Sequence, residues 1–146
     1  VIMLNTFDQW ITKDKKYLDF ARNIAHFILN NPNLPKDKIP FWDYDAPQIP
    51  YTERDASAAA IMASALLELG QYTKGSEKQE FISNAEKILE SLSSDNYRAK
   101  ARQNGGFLLM HSTGAKPLNS EVDVPLIYAD YYFLEALKRY KDWYLR

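Results

Sequence analysis

The 146-residue chain has no cysteine, which excludes disulfides and thiolate metal sites but does not by itself choose a cellular compartment. Histidine is almost as scarce. His26 and His111 are the only two, and they lie too far apart in sequence to suggest a metal site. A charge excess is missing as well: 18 basic side chains face 19 acidic ones, and the densest basic group is the dispersed Lys13, Lys15, Lys16 set. Such a balance offers no field to draw in nucleic acid or an anionic membrane surface. Nor is there a long hydrophobic run. The most apolar stretch, "ASAAAIMASALLEL", is interrupted by serines and is shorter than the roughly 20 residues that cross a bilayer, so no membrane span is expected. The opening "VIMLNTFDQW" lacks a positive region ahead of an apolar run and a small-residue cleavage site; it reads as a processed or truncated start rather than a secretory signal. A glycine-rich phosphate loop, G-x-S-x-G, H-E-x-x-H and a calcium-loop pattern are all absent.

What is present points to a single helical domain over residues 1–146. Hydrophobic residues make up 46% of the chain, enough to build a core at this length. Across residues 15–31, Tyr17, Phe20, Ala21, Ile24, Ala25 and Ile28 recur at three and four spacing among polar residues, predicting a one-faced helix that ends at Asn31-Pro32. Residues 76–93 repeat the pattern through Phe81, Ala85, Ile88, Leu89 and Leu92, with Ser76 as the expected N-cap. Residues 55–69 and 125–145 differ, being apolar or small all round, as helices buried on most sides are. Gly70 is expected to close the first of these and Pro125 to occupy the first turn of the second. A weaker helix is expected over about residues 2–12.

One-faced and buried helices therefore alternate, the order produced when inner helices form a ring and outer helices wrap it. The expected fold is all-α, an α/α toroid of which this chain forms about half the ring; a plain helical bundle is the alternative. No short repeat indicates a regular solenoid. The two longest connections, 32–54 and 94–124, each follow a one-faced helix and precede a buried one, so both should emerge at the same rim.

Those connections hold the polar chemistry. "FWDYDAPQIPYTERDASAAA" brings together Asp43, Asp45 and Asp55, the kind of carboxylates that acid and base work at a glycosidic bond needs. Their structural reading is that Asp55 caps the following helix and Arg54 pairs with a carboxylate. Trp42 and Tyr44 suit either a sugar platform or a core anchor. In the second connection Gly105-Gly106 mark a turn, and "FLLMHS" can lie extended with His111 at its end. Glu121 and Asp123 are expected to pair with Lys116 or to cap the last helix. Asp130 sits inside the aromatic final helix, where an ionised carboxylate is costly unless paired or facing a wet cavity, and on physical grounds it is the leading single site candidate.

The segments "WDYDAP", "RDASAAAIMASALLEL", "GFLLMHSTG" and "EVDVPLIYADYYFLEAL", in this order over about residues 15–144, resemble the C-terminal portion of bacterial unsaturated glucuronyl hydrolases, glycoside hydrolase family 88. The resemblance implies a six-hairpin α/α barrel. It also implies release of an unsaturated uronic acid from the non-reducing end of lyase-generated oligosaccharides: an aspartic acid protonates the C4=C5 vinyl ether, water adds at C5, and the hemiketal opens. No cofactor is implied. The family's two catalytic aspartates lie in its N-terminal half, upstream of a "WARGQ" type segment that this sequence lacks, so the resemblance assigns no catalytic residue here and the isolated chain is expected to be inactive; a non-catalytic carbohydrate-binding module or a helical interaction module is the alternative. By motif position, His111 and the Ala129, Asp130, Tyr131 region match segments that line the family's substrate pocket. Trp42, Asp45, Arg54 and Asp55 belong to patterned motifs of largely architectural character; Trp42 and Arg54 nonetheless join His111, Asp130 and Tyr131 as the five candidate substrate-binding residues. The expected partners are an unsaturated oligosaccharide and either the missing half or a second copy of the chain. Bacterial periplasm and cytoplasm both remain open as compartments.

Overall fold

Helix α1, Lys15–Leu29, begins where the Asp14 side chain accepts from the Lys16 amide at 3.0 Å, satisfying one of the free donors of the first turn. It buries Ala21, Ala25 and Leu29 at four-residue spacing and leaves Phe20 and Phe27 on the opposite face. These observations come from a computed structural model in which residues 14–145 are described; the helix expected over 2–12 lies outside them.

Helix α2, Ala56–Tyr72, is capped by Asp55, whose Oδ1 accepts from the Ser57 amide at 3.0 Å and from the Ser57 hydroxyl at 2.6 Å. It is buried on nearly every side, as its composition predicts, and forms the spine of the core with Ala59, Ala63, Leu66 and Leu67. It does not stop at Gly70. The helix continues to Tyr72, and Thr73 closes it with a hydroxyl bond to the Leu69 carbonyl at 3.0 Å. Gly70 is instead a point of close approach, since a Cβ there would lie 2.6 Å from the Tyr144 hydroxyl. The left-handed glycine of this turn is Gly75, at φ +60°.

Helix α3, Gly75–Ser93, follows at once, with Lys74 rather than Ser76 at its cap and no capping side chain. It lays Phe81, Ala85, Ile88 and Leu92 against α2. Helix α4, Ile127–Trp143, starts after Leu126, so Pro125 precedes the helix rather than lying in its first turn. Its pairing with α2 is parallel. Ser64 bonds Glu135, Glu68 bonds Arg139 at 2.8 Å, and the Tyr144 hydroxyl donates to the Leu67 carbonyl at 2.7 Å, so both chains of contacts ascend together. Tyr140 donates to Glu86 at 2.7 Å, tying α4 to α3 behind it.

Inner helices α2 and α4 thus run side by side with α3 returning outside them. The expectation that α4 is buried on most sides is corrected: Ala129, Asp130, Phe133 and Ala136 are covered, but Ile127 is 72%, Tyr131 61% and Leu134 53% exposed. Composition reports that this face is apolar; within these residues no neighbour lies on it.

Candidate functional site

Both long connections enter inner helices from the same end, and they pack on one another there. The Ala56 amide donates to the His111 carbonyl at 3.0 Å, the Thr113 amide to Asp55 Oδ1 at 3.2 Å, and the Thr113 hydroxyl to the Arg54 carbonyl at 3.1 Å. The second connection is held extended by short antiparallel pairings. Met110 N bonds Tyr97 O at 2.8 Å, Ala99 N bonds Leu108 O at 2.8 Å, and Ser112 and Val124 exchange backbone bonds at 3.1 and 2.9 Å. The turn between the first two arms is made by Gly105 at φ +63° and Gly106 at φ +92°.

This rim encloses an open polar cleft of about 460 Å³. The first connection contributes Asp37, Thr52, Glu53 and Arg54; Asn96, Tyr97, His111 and Asp123 come from the second. Arg54 pairs with Asp37, donates from Nε to the Ile39 carbonyl at 2.9 Å, and stands over the Phe41 ring at 5.0 Å. Glu53 pairs with Lys116, and that cation holds its carboxyl down at about 2. The His111 ring has its Nδ1 2.6 Å from Asp123 Oδ1 and meets the Tyr97 ring edge-on at 6.1 Å.

Two of the five candidate residues, His111 and Arg54, therefore share one cleft, and the other three are elsewhere. Trp42 donates from Nε1 to the Thr52 hydroxyl at 3.1 Å and faces a separate apolar cavity of about 330 Å³ with Ile24, Ile28, Tyr44 and Ile61. In that cavity burial pushes the Tyr44 phenol up to about 12, with the Asp55 charge adding to it. Tyr131 lines an open groove of about 470 Å³ along α4 with Leu134, Lys138 and Trp143. Asp130 lines none of these three cavities. It is 8% exposed, and its two oxygens accept from the Leu108 amide at 2.7 Å and the Leu109 amide at 2.9 Å, so it pins the extended arm that carries His111.

The partner assignments expected from sequence also change. Lys116 bonds Glu53, not Glu121 or Asp123, and α4 has no side-chain cap. Asp37 and Tyr97 were not singled out by the sequence; the only signal that could have found them is the arginine and histidine each one meets. Among the described residues no group of three or more histidines, cysteines or carboxylates is placed to hold a metal, and no helix is long and apolar enough to cross a membrane.

No protein-family profile matches the chain. Among curated proteins it is 47% identical over 135 residues to the unsaturated glucuronyl hydrolase of Formosa agariphila, a match covering 92% of this chain and 33% of that protein. The chain is homologous to the unsaturated glucuronyl hydrolases. It spans about a third of the length of the curated relatives it matches, which include the unsaturated chondroitin disaccharide hydrolase of Streptococcus pyogenes, 31% identical over 90% of the chain. A solved unsaturated glucuronyl hydrolase specific for heparin superposes with a TM-score of 0.91 at 52% identity, covering 94% of this chain and 37% of that one. An aspartate-to-asparagine variant of the Streptococcus agalactiae hydrolase, complexed with dGlcA-GalNAc6S, superposes at 0.86 with 29% identity, covering 97% of this chain and 38% of that one. The α2–α3–α4 arrangement is accordingly part of the α/α toroid of the unsaturated glucuronyl hydrolases.

Proposed function

We propose that this chain supplies one wall of the substrate cleft of an unsaturated glucuronyl hydrolase, which releases an unsaturated uronic acid from the non-reducing end of lyase-generated oligosaccharides by hydrating the C4=C5 vinyl ether. The observation that carries the reading is the convergence of both outer-to-inner connections on one polar cleft holding His111 and Arg54. An open, hydrogen-bonding cleft fits a sugar, whose hydroxyls need partners. Asp130 serves this cleft indirectly, by holding the His111 arm. Trp42 and Tyr131 act as flanking aromatic surfaces.

The acid that protonates carbon comes from outside residues 14–145 in this proposal. A carboxyl group suited to that step must be held protonated in a sheltered place. The carboxylates that line or border the cleft are engaged as acceptors or ion-pair partners: Asp37 with Arg54, Glu53 with Lys116, Asp55 with the Ser57 and Thr113 amides, and Asp123 with His111. Alone, the chain is expected to bind substrate without turning it over, and the exposed face of α4 around Tyr131 and Leu134 is where the rest of the ring, or a second copy, packs.

The test uses an unsaturated glycosaminoglycan disaccharide and the ultraviolet absorbance of its double bond. The chain alone should bind saturably, lose binding in His111→Ala, and leave the absorbance unchanged; co-expression with the part of the Formosa agariphila relative that it does not match should make the absorbance fall. Turnover by the chain alone, or binding indifferent to His111→Ala, overturns the proposal.

A further inference from the structure

His111 and Asp123 both adopt left-handed backbone conformations, at φ +63° and +53°, and through them their side chains meet at 2.6 Å. Non-glycine residues are uncommon there, although histidine and aspartate tolerate it better than most, and the conformation is held where the surroundings fix it. Here they do. The His111 carbonyl accepts from the first amide of α2 at 3.0 Å, and the Asp123 amide donates to the Thr113 hydroxyl at 3.3 Å, which itself donates to the Arg54 carbonyl. The pair is thus anchored to the start of an inner helix on one side and to the first connection on the other.

We propose that Asp123 is a positioning residue for His111, fixing the neutral ring as the Nδ1–H tautomer so that the bare Nε2 is left to accept a hydrogen bond from a sugar hydroxyl. An ionised carboxylate only accepts, so in the neutral ring a bond at 2.6 Å places the proton on Nδ1 and leaves the lone pair on Nε2. Among the described residues no protein group bonds Nε2, the side chain is 45% exposed, and the ring lines the polar cleft. The edge-on Tyr97 ring, 6.1 Å away, limits rotation of the imidazole about its own axis. A carboxylate behind a histidine serves the same purpose at metal sites and in hydrolytic triads, where it selects the tautomer and orients the ring.

The ligand half of this inference rests on the proposed sugar-binding role of the cleft; the tautomer half does not. Long-range nitrogen–proton correlation spectra on the ¹⁵N-histidine-labelled chain read the tautomers of its two histidines directly, with His26→Gln assigning the His111 signals. At a pH where the ring is neutral, His111 is expected as Nδ1–H. Asp123→Asn, which suits a left-handed backbone and keeps the volume, should shift the ring toward a tautomer mixture and weaken disaccharide binding roughly tenfold, the low end of what losing such a carboxylate does elsewhere, with little change in thermal midpoint. A predominantly Nε2–H ring in the unaltered chain overturns the proposal, as does a D123N chain with unchanged tautomer and affinity. If the unaltered chain binds no disaccharide, the sugar-binding reading fails, and the ligand-free spectra still decide the role of Asp123.

Discussion

Replacing Asp130 separates a structural carboxylate from a ligand-facing one. In Asp130→Ala the Leu108 and Leu109 amides lose charge-assisted bonds of 2.7 and 2.9 Å. Such bonds are worth about 1.5–3 kcal/mol each, and a buried donor left without a partner costs about 1–3 kcal/mol. The two sites differ: Leu108 is 37% exposed, so water can reach its surroundings, whereas Leu109 is fully buried. Taking the low end for the first and the middle for the second gives a loss of about 3 kcal/mol. Asp130→Asn keeps the volume and one acceptor but sets an amide NH₂ against a backbone N–H, for a loss of about 2 kcal/mol. Urea denaturation followed by circular dichroism is the assay. With a slope of about 1.5 kcal/mol per molar, the alanine variant should unfold at a urea midpoint roughly 2 M lower, with the slope unchanged. A midpoint within about 0.3 M of the parent chain, accompanied by loss of disaccharide affinity, would refute the brace and return Asp130 to the cleft.

Gly70→Ala should destabilise by about 1 kcal/mol despite the better helix propensity of alanine, because its Cβ would lie 2.6 Å from a Tyr144 hydroxyl held by Leu67 and Gln71. In a Tyr144→Phe background the same change should become neutral or stabilising, and a thermal double-mutant cycle reads the reversal. The Glu53 carboxyl sits at about 2 in the folded chain against an ordinary 4.5, so its pairing with Lys116 contributes stability above pH 4.5 that is lost as pH falls toward 2. Glu53→Gln should flatten that acid limb of the midpoint-versus-pH curve; parallel curves would show the pair to be inert. Tyr44, pushed from 10 to about 12, favours folding below pH 10 and loses that contribution as pH rises through 12, so phenolate absorbance should show a late-titrating ring that Tyr44→Phe removes.

Local patterns were legible in the sequence because they depend on neighbours a few residues away. The spacing of Ala21, Ala25 and Ile28 marks α1, the run from Ala56 to Leu69 marks a helix covered on all sides, and Asp55 is its cap, read from the sequence alone. The order of helices also carried the arrival of both connections at one rim, but left a toroid and a plain bundle as alternatives that only the superposition on solved structures separates. The boundaries that failed were long-range in origin. Gly70 resembles a helix terminator until Tyr144, 74 positions later in the chain, is seen to need its missing side chain.

The same division runs through the site. Sequence by itself determined which residue types stand at the rim and that Arg54 would seek a carboxylate. Tertiary structure decided the pairings. Asp37 meets Arg54 across 17 positions, Asp123 meets His111 across 12, and Lys116 meets Glu53 across 63. It also moved Asp130 from cleft to brace by bringing two amides from 21 and 22 positions upstream onto its oxygens. Periodicity reports which face of a segment avoids water, but not what that face or its charged neighbours will meet. That depends on the parallel pairing of α2 with α4, which brings the two connections to one end and lets side chains with no local relation become partners.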